Sequence, residues 1–267
     1  MAANWDPNNN YWSTEEIHDL KFNEDKQTVT FRSGRMGPIA LLSFRYCNLP
    51  YQTWEMKPDF KGPPGGVILT ITASVVIIEF TIRDDKICMS QLQNGTTNAL
   101  QNYIGMFFKP KKMMKILQDG GVDIFPPADA FCYVEGTSEK HRVAEDHLYH
   151  CMALLSTGYN FTWSRWNLLA GRRNMVLQMR ECLDRKKMPS YKLLHVTPLK
   201  AAIVECTEVS SSFNDQGIEG MKFYADLYNL ALDQGSPQSK KKMEEISFIL
   251  VETVRELLCA IRPLCFS

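Results

Sequence analysis

Residues 66–82, GVILTITASVVIIEFTI, are the strongest constraint on how this chain can fold. Val76, Ile78, Phe80 and Ile82 fall on one side of an extended backbone, with Glu79 and Thr81 on the other, as a half-buried strand requires. The apolar run from Val67 to Ile82 is interrupted by Thr70, Thr72, Ser74, Glu79 and Thr81. Its length and β-branched content fit two buried strands, not a membrane-crossing helix. A turn, RDDK at 83–86, then reverses the chain into ICMSQL. Upstream, KQTVTFRS meets a Ser-Gly-Arg turn at 33–35, followed by MGPIALLSFRY, YQTWEMKP and a linker, DFKGPPGG, at 59–66. Closely spaced strands separated by turn signals predict an antiparallel β-sandwich domain over residues 14–95.

After NGTTN at 94–98 the periodicity changes. Residues 99–119 carry a mixed helical pattern broken by Pro110, with Met113, Met114 and Leu117 spaced for one face and Gly120-Gly121 to end it. Residues 139–158 predict a helix whose stripe is Ala144, Leu148, Cys151, Met152 and Leu155, with Ser138 as its N-cap. Strands are expected at 159–166, 174–181, 190–196 and 199–208, and helices at 217–232 and 239–261. The last helix has a stripe that includes Ile246, Ile249, Leu250, Val254, Leu257, Leu258 and Ile261, and DQGSPQSKKK before it reads as a solvated loop. The expected fold class is α+β: the sandwich, then an α+β domain over residues 96–267 with C-terminal helices.

Charge excludes some functions. Formal net charge is zero, with nine basic against eleven acidic residues up to position 95 and 21 against 19 beyond it. No large field marks nucleic acid or anionic lipid as a partner. The polar start, MAANWDPNNNYWSTEE, lacks a signal core, and eight scattered cysteines without a CxxC pair read as reduced thiols. Short basic clusters do occur: Lys109, Lys111, Lys112 and Lys115; Arg172 and Arg173; Arg185, Lys186 and Lys187; and Lys240 to Lys242.

Catalytic patterns do not assemble. KGPPGGV has glycines, but its prolines lack the N–H groups of a phosphate loop and a strand follows it; GxSxG is absent. Ser138 near His141 reads as a helix cap. His147, His150 and Cys151 share a helix face, with His141 upstream, so three metal ligands could converge. Cys151, however, belongs to the apolar stripe, HExxH is absent and no completing ligand lies nearby in sequence, so no metal is expected. The pairs Asp84-Asp85 and Glu244-Glu245 read as solvated charge. In NFTWSRWNLLAGRRNM, residues 160–175, Trp163 and Trp166 read as packing anchors, with Arg165 placed to stack between two indoles. No catalytic, cofactor-binding or metal-binding residue is expected.

Taken together, YWSTEEIHDLKFNEDKQTVTFRSGRMGPIAL, LPYQTWEMKP, GVILTITASVVIIEFTI, FTWSRWNLLAG and TVRELLCAIRPLCFS resemble the C-terminal region of the cancer susceptibility candidate 1 family, also described as axonemal dynein intermediate chains of the inner-arm type. The resemblance covers roughly residues 5–267. It implies a non-catalytic protein of the cytoskeleton and ciliary axoneme, without a cofactor, whose partners are other axonemal dynein subunits and tubulin, not nucleic acid or membrane. Full-length members look as if they carry a long, charged N-terminal region that this sequence lacks, so a short member, an isoform or a fragment is expected. Two other functions compete: a β-sandwich binding a small ligand such as a lipid or glycan, and an enzyme built on His147, His150 and Cys151.

Overall fold

A computed structural model of the chain describes residues 1–267 except 24, 62–64, 96, 97, 185–187 and 221, and it describes the backbone but not the side chain of residue 98. The linker expected at 59–66, the NGTTN segment and the Arg185–Lys187 cluster therefore fall partly or wholly outside the described residues.

The chain divides into two units, Met1–Arg45 and Tyr46–Ser267. In the first, β1 (Ala2–Asp6) pairs antiparallel with β2 (Tyr11–Ser13), and β3 (Ile17–Asn23) forms a hairpin with β4 (Thr28–Ser33). Strand β5 (Ile39–Leu41) pairs with the other edge of β1. Of the expected MGPIALLSFRY strand, only these three residues are extended and paired.

Among the described residues, the second unit is built on one antiparallel sheet of nine strands. The apolar stretch that starts at Gly66 supplies β7 (Gly66–Thr72) and β8 (Ile77–Arg83), flanked by β6 (Thr53–Asp59) and β9 (Lys86–Gln93). Val76, Ile78, Phe80 and Ile82 are buried, and Glu79 and Thr81 are half-buried, as the alternation requires. Asp84 takes a positive φ of 48° in the turn that joins β8 to β9, a conformation Asp tolerates better than most residues. A short β10 (Phe107–Phe108) closes that edge.

The chain then leaves the sheet through α1 (Pro110–Asp119) and α2 (Arg142–Leu155). Pro110 starts α1 instead of breaking a longer helix, because proline is tolerated in the first turn, where its missing N–H has no intrahelical partner. Helix α2 is capped by His141, whose Nδ1 accepts from the Ala144 N–H, and not by Ser138. The chain re-enters at β11 (Tyr159–Thr162), beside β6, and continues through α3 (Trp166–Leu169), β12 (Met175–Glu181), β13 (Lys192–Val196) and β14 (Ala201–Val204). Phe161 opposite Met56 joins the two halves of the sheet. The boundary expected between residues 95 and 96 thus falls inside one unit, where strands from either side of it are hydrogen-bonded neighbours.

Alternation along the late strands separates two cores. Met175, Leu177 and Met179 of β12, with Leu194 of β13 and Ile203 of β14, join the main core; Val176, Leu193 and Val204 point to the other face. The main core is filled from above by Leu148, Met152 and Leu155 of α2. It is completed by the C-terminal helices: α4 (Leu227–Gln234), α5 (Pro237–Glu245) and α6 (Phe248–Ile261). The inner face of β7 and β8 therefore packs under helices, and the whole is α+β. The single helix expected at 239–261 is two, broken where Ile246 and Ser247 are extended. Ile249, counted on the apolar stripe, is 55% exposed, while Leu250, Val254, Leu257, Leu258 and Ile261 are buried as expected. Among the described residues, no helix is long and apolar enough to cross a membrane.

A charged pair is buried against this core. Glu145 of α2 accepts from Arg262 Nη2 at 2.9 Å and from the Tyr149 hydroxyl at 2.9 Å, and that hydroxyl accepts from the Leu264 N–H at 3.0 Å. Arg262 sits at the αL C-cap of α6, with φ 55°, so the pair ties the middle of the chain to its end.

Candidate functional site

His147 and Cys151 lie one turn apart on α2, so their side chains share a face. The expected third member, His150, is not with them. Its place is taken by Asp226, which comes from far along the chain as the N-cap of α4 and accepts from the Asn229 N–H at 2.8 Å. His147 Nε2 lies 3.2 Å from Asp226 Oδ2 and 3.6 Å from Cys151 Sγ. One donor atom from each of the three falls within 4.8 Å of the others. Burial, then the nearby Asp226 carboxylate, pushes the Cys151 thiol up to about 11. Burial also works against ionised Asp226, but hydrogen bonds from Asn229 and His147 hold its carboxyl below the ordinary range. The three side chains line a cavity of about 160 Å³ whose other walls include Val143, Leu148, Val196 and Pro198. His141 lines it too, although its Nδ1 is engaged in capping α2.

The aromatic segment is structural on both faces of the sheet. Phe161 is buried in the main core and Trp163 packs against it. Trp166 anchors the opposite face with Val176, Leu193, Val204 and Cys206, covered by Phe213. Its Nε1 donates to the Thr207 carbonyl at 3.0 Å. Trp166 is therefore a packing anchor, seated under the chain that follows β14. Arg165 stacks on Trp166, with Cζ 4.2 Å from the ring centroid, and is held by the Ser210 carbonyl.

The basic clusters differ in what they touch. Lys242 is half-buried, donating to the Thr157 carbonyl at 3.1 Å over the Phe60 ring, and Lys241 lies 3.6 Å from Glu245. Arg172 pairs with Glu139 at 3.0 Å. Among the described clusters, that of α1 is the most available: Lys109, Lys111, Lys112 and Lys115 are all exposed. Of these, Lys109 lies 4.0 Å from Asp85 and Lys112 lies over the Phe108 ring.

Comparison with known families gives a match to Cancer susceptibility candidate 1 C-terminal over residues 8–221. The chain belongs to this family. Four of the five segments that carried the resemblance lie inside the matched span; TVRELLCAIRPLCFS lies beyond it, as does Asp226. Among curated proteins, the chain is similar to dynein axonemal intermediate chain 7 of Homo sapiens, 27% identical over 269 residues, covering 100% of this chain and 37% of that protein. The same protein of Macaca fascicularis gives 27% with the same coverage. A homolog from Ciona intestinalis is 26% identical over 267 residues, covering 93% of this chain and 36% of its own length. The chain thus spans little more than a third of the length of these relatives.

Proposed function

We propose that this chain is a non-catalytic structural or regulatory part of the ciliary axoneme, acting with inner-arm dynein subunits in their assembly or regulation and contacting tubulin. The observation that carries the reading is the match, along the whole chain, to proteins named as axonemal dynein intermediate chains. The tubulin contact is assigned to α1. Its lysines form the one basic cluster, among the described residues, in which four exposed cations come from a single helix and its cap. Tubulin's acidic C-terminal tails are the complementary surface.

Zero net charge limits what this patch can do. Exposed charges are screened over about 8 Å at physiological ionic strength, so attraction from one helix is weak and salt-sensitive. Stable docking then needs apolar area contributed by another dynein-arm subunit. In co-sedimentation, the isolated chain is expected to bind bare microtubules poorly, to lose that binding as salt is added, and to lose it at low salt when Lys111, Lys112 and Lys115 are changed to glutamate. Tight binding insensitive to salt would contradict the reading and indicate a preformed apolar tubulin interface.

A further inference from the structure

We propose that His147, Cys151 and Asp226 form a zinc site, with a fourth coordination position open to the adjoining cavity. The sequence argued against a metal here because His147, His150 and Cys151 had no completing ligand nearby; the fold supplies one from the start of α4. The donor set is one imidazole, one thiol and one carboxylate. That mixture suits Zn²⁺, which takes nitrogen, sulfur and oxygen ligands together, whereas Ca²⁺ and Mg²⁺ select oxygen alone.

The spacing supports the same ion. Ligands at zinc-bond lengths on a tetrahedron stand about 3.3 Å apart for nitrogen and oxygen and about 3.6 Å for nitrogen and sulfur. The observed separations are 3.2 Å between His147 Nε2 and Asp226 Oδ2 and 3.6 Å between His147 Nε2 and Cys151 Sγ, while the Cys151 and Asp226 donors lie within 4.8 Å of each other and would draw together on a bound ion. The one-turn spacing on α2 sets Cys151 beside His147, and the Asp226 carboxylate, brought in from the start of α4, completes a three-donor cluster that neither helix makes alone. Two ligands come from rigid positions on α2 and the third from a helix cap already fixed by the Asn229 N–H. On binding, the Cys151 thiol gives up its proton to solvent as the zinc–sulfur bond forms. A cavity of about 160 Å³ provides entry and room for a water as the fourth ligand. The bound ion would cross-link α2 to the N-terminus of α4.

Cobalt(II) titration of the full chain tests this, since a cobalt–thiolate bond gives a near-ultraviolet charge-transfer band. The expected result is a band saturating at one equivalent, displaced by zinc and absent from a folded Cys151→Ser variant. His147→Gln and Asp226→Asn, at more exposed positions, are expected to weaken binding at least tenfold, and His150→Gln to leave it unchanged. Asn at 226 can still cap α4, so loss there reports the ligand and not the helix. Zinc is also expected to raise the melting temperature of the parent but not of His147→Gln. No band at one equivalent from the folded parent, a band that survives Cys151→Ser, or equal affinity in His147→Gln would overturn the proposal.

Discussion

Truncating Phe80 to alanine is expected to destabilise the Tyr46–Ser267 unit by about 3–5 kcal/mol, the range for deleting a buried aromatic ring. Phe80 has no exposed surface and sits in the inward row of β8, paired across the sheet with Leu69 and Met89. Helices packed over this face cannot follow the lost ring far, because each is also held by its own contacts within the same core. The melting temperature should fall by roughly 10 °C in a unit of this size. Glu79→Gln, on the opposite face of the same strand, should change stability by less than about 1 kcal/mol. Thermal or denaturant unfolding of the two variants checks the pair, and an unchanged midpoint for Phe80→Ala would contradict the assigned face of β8.

Arg262→Met is expected to produce a loss of similar size for an electrostatic reason. Glu145 is completely buried, and the variant removes the guanidinium donors from its carboxylate while the Tyr149 hydroxyl stays. Breaking a buried pair from one side costs about 3–5 kcal/mol, because the remaining charge is left out of water without its hydrogen-bonded counter-ion. The positive φ at residue 262 does not confound the test, since arginine and methionine bear the same backbone strain there. Removing both charges, as Glu145→Gln with Arg262→Met, should cost less than the single change. Urea unfolding of the single and double variants measures this. A double variant less stable than Arg262→Met would show that the pair's own attraction, and not the stranded charge, dominates.

The residues of β6 to β9 announce themselves because one buried face and one wetter face impose a period of two, which survives in any tertiary setting. Helix α2 is legible for the same reason at a period near four. What covers those faces is not legible: an inward row of Val76, Ile78, Phe80 and Ile82 reads alike under a second sheet or under helices. The start of α5 did carry a local signal that the solvated-loop reading passed over, Ser236 as N-cap followed by Pro237 in the first turn. The break before α6 carried a weaker one, Ser247 as an N-cap without a side-chain capping bond, and the apolar spacing runs through it.

Long-range polar contacts were the least accessible. Nothing near His147 in sequence points to Asp226, and nothing near Glu145 points to Arg262; both partnerships are made by the fold alone. The family was legible earlier than these details because its segments are strand and turn sequences spread over the sheet, each ordinary alone and specific together.

The most direct test of an axonemal, surface-borne role is co-purification of the tagged full chain from ciliated cells, washed at increasing salt and read by mass spectrometry. The expected result is enrichment of inner-arm dynein subunits that survives the salt at which tubulin is washed away. Recovery of the intact chain with no dynein subunit enriched at any salt would contradict it.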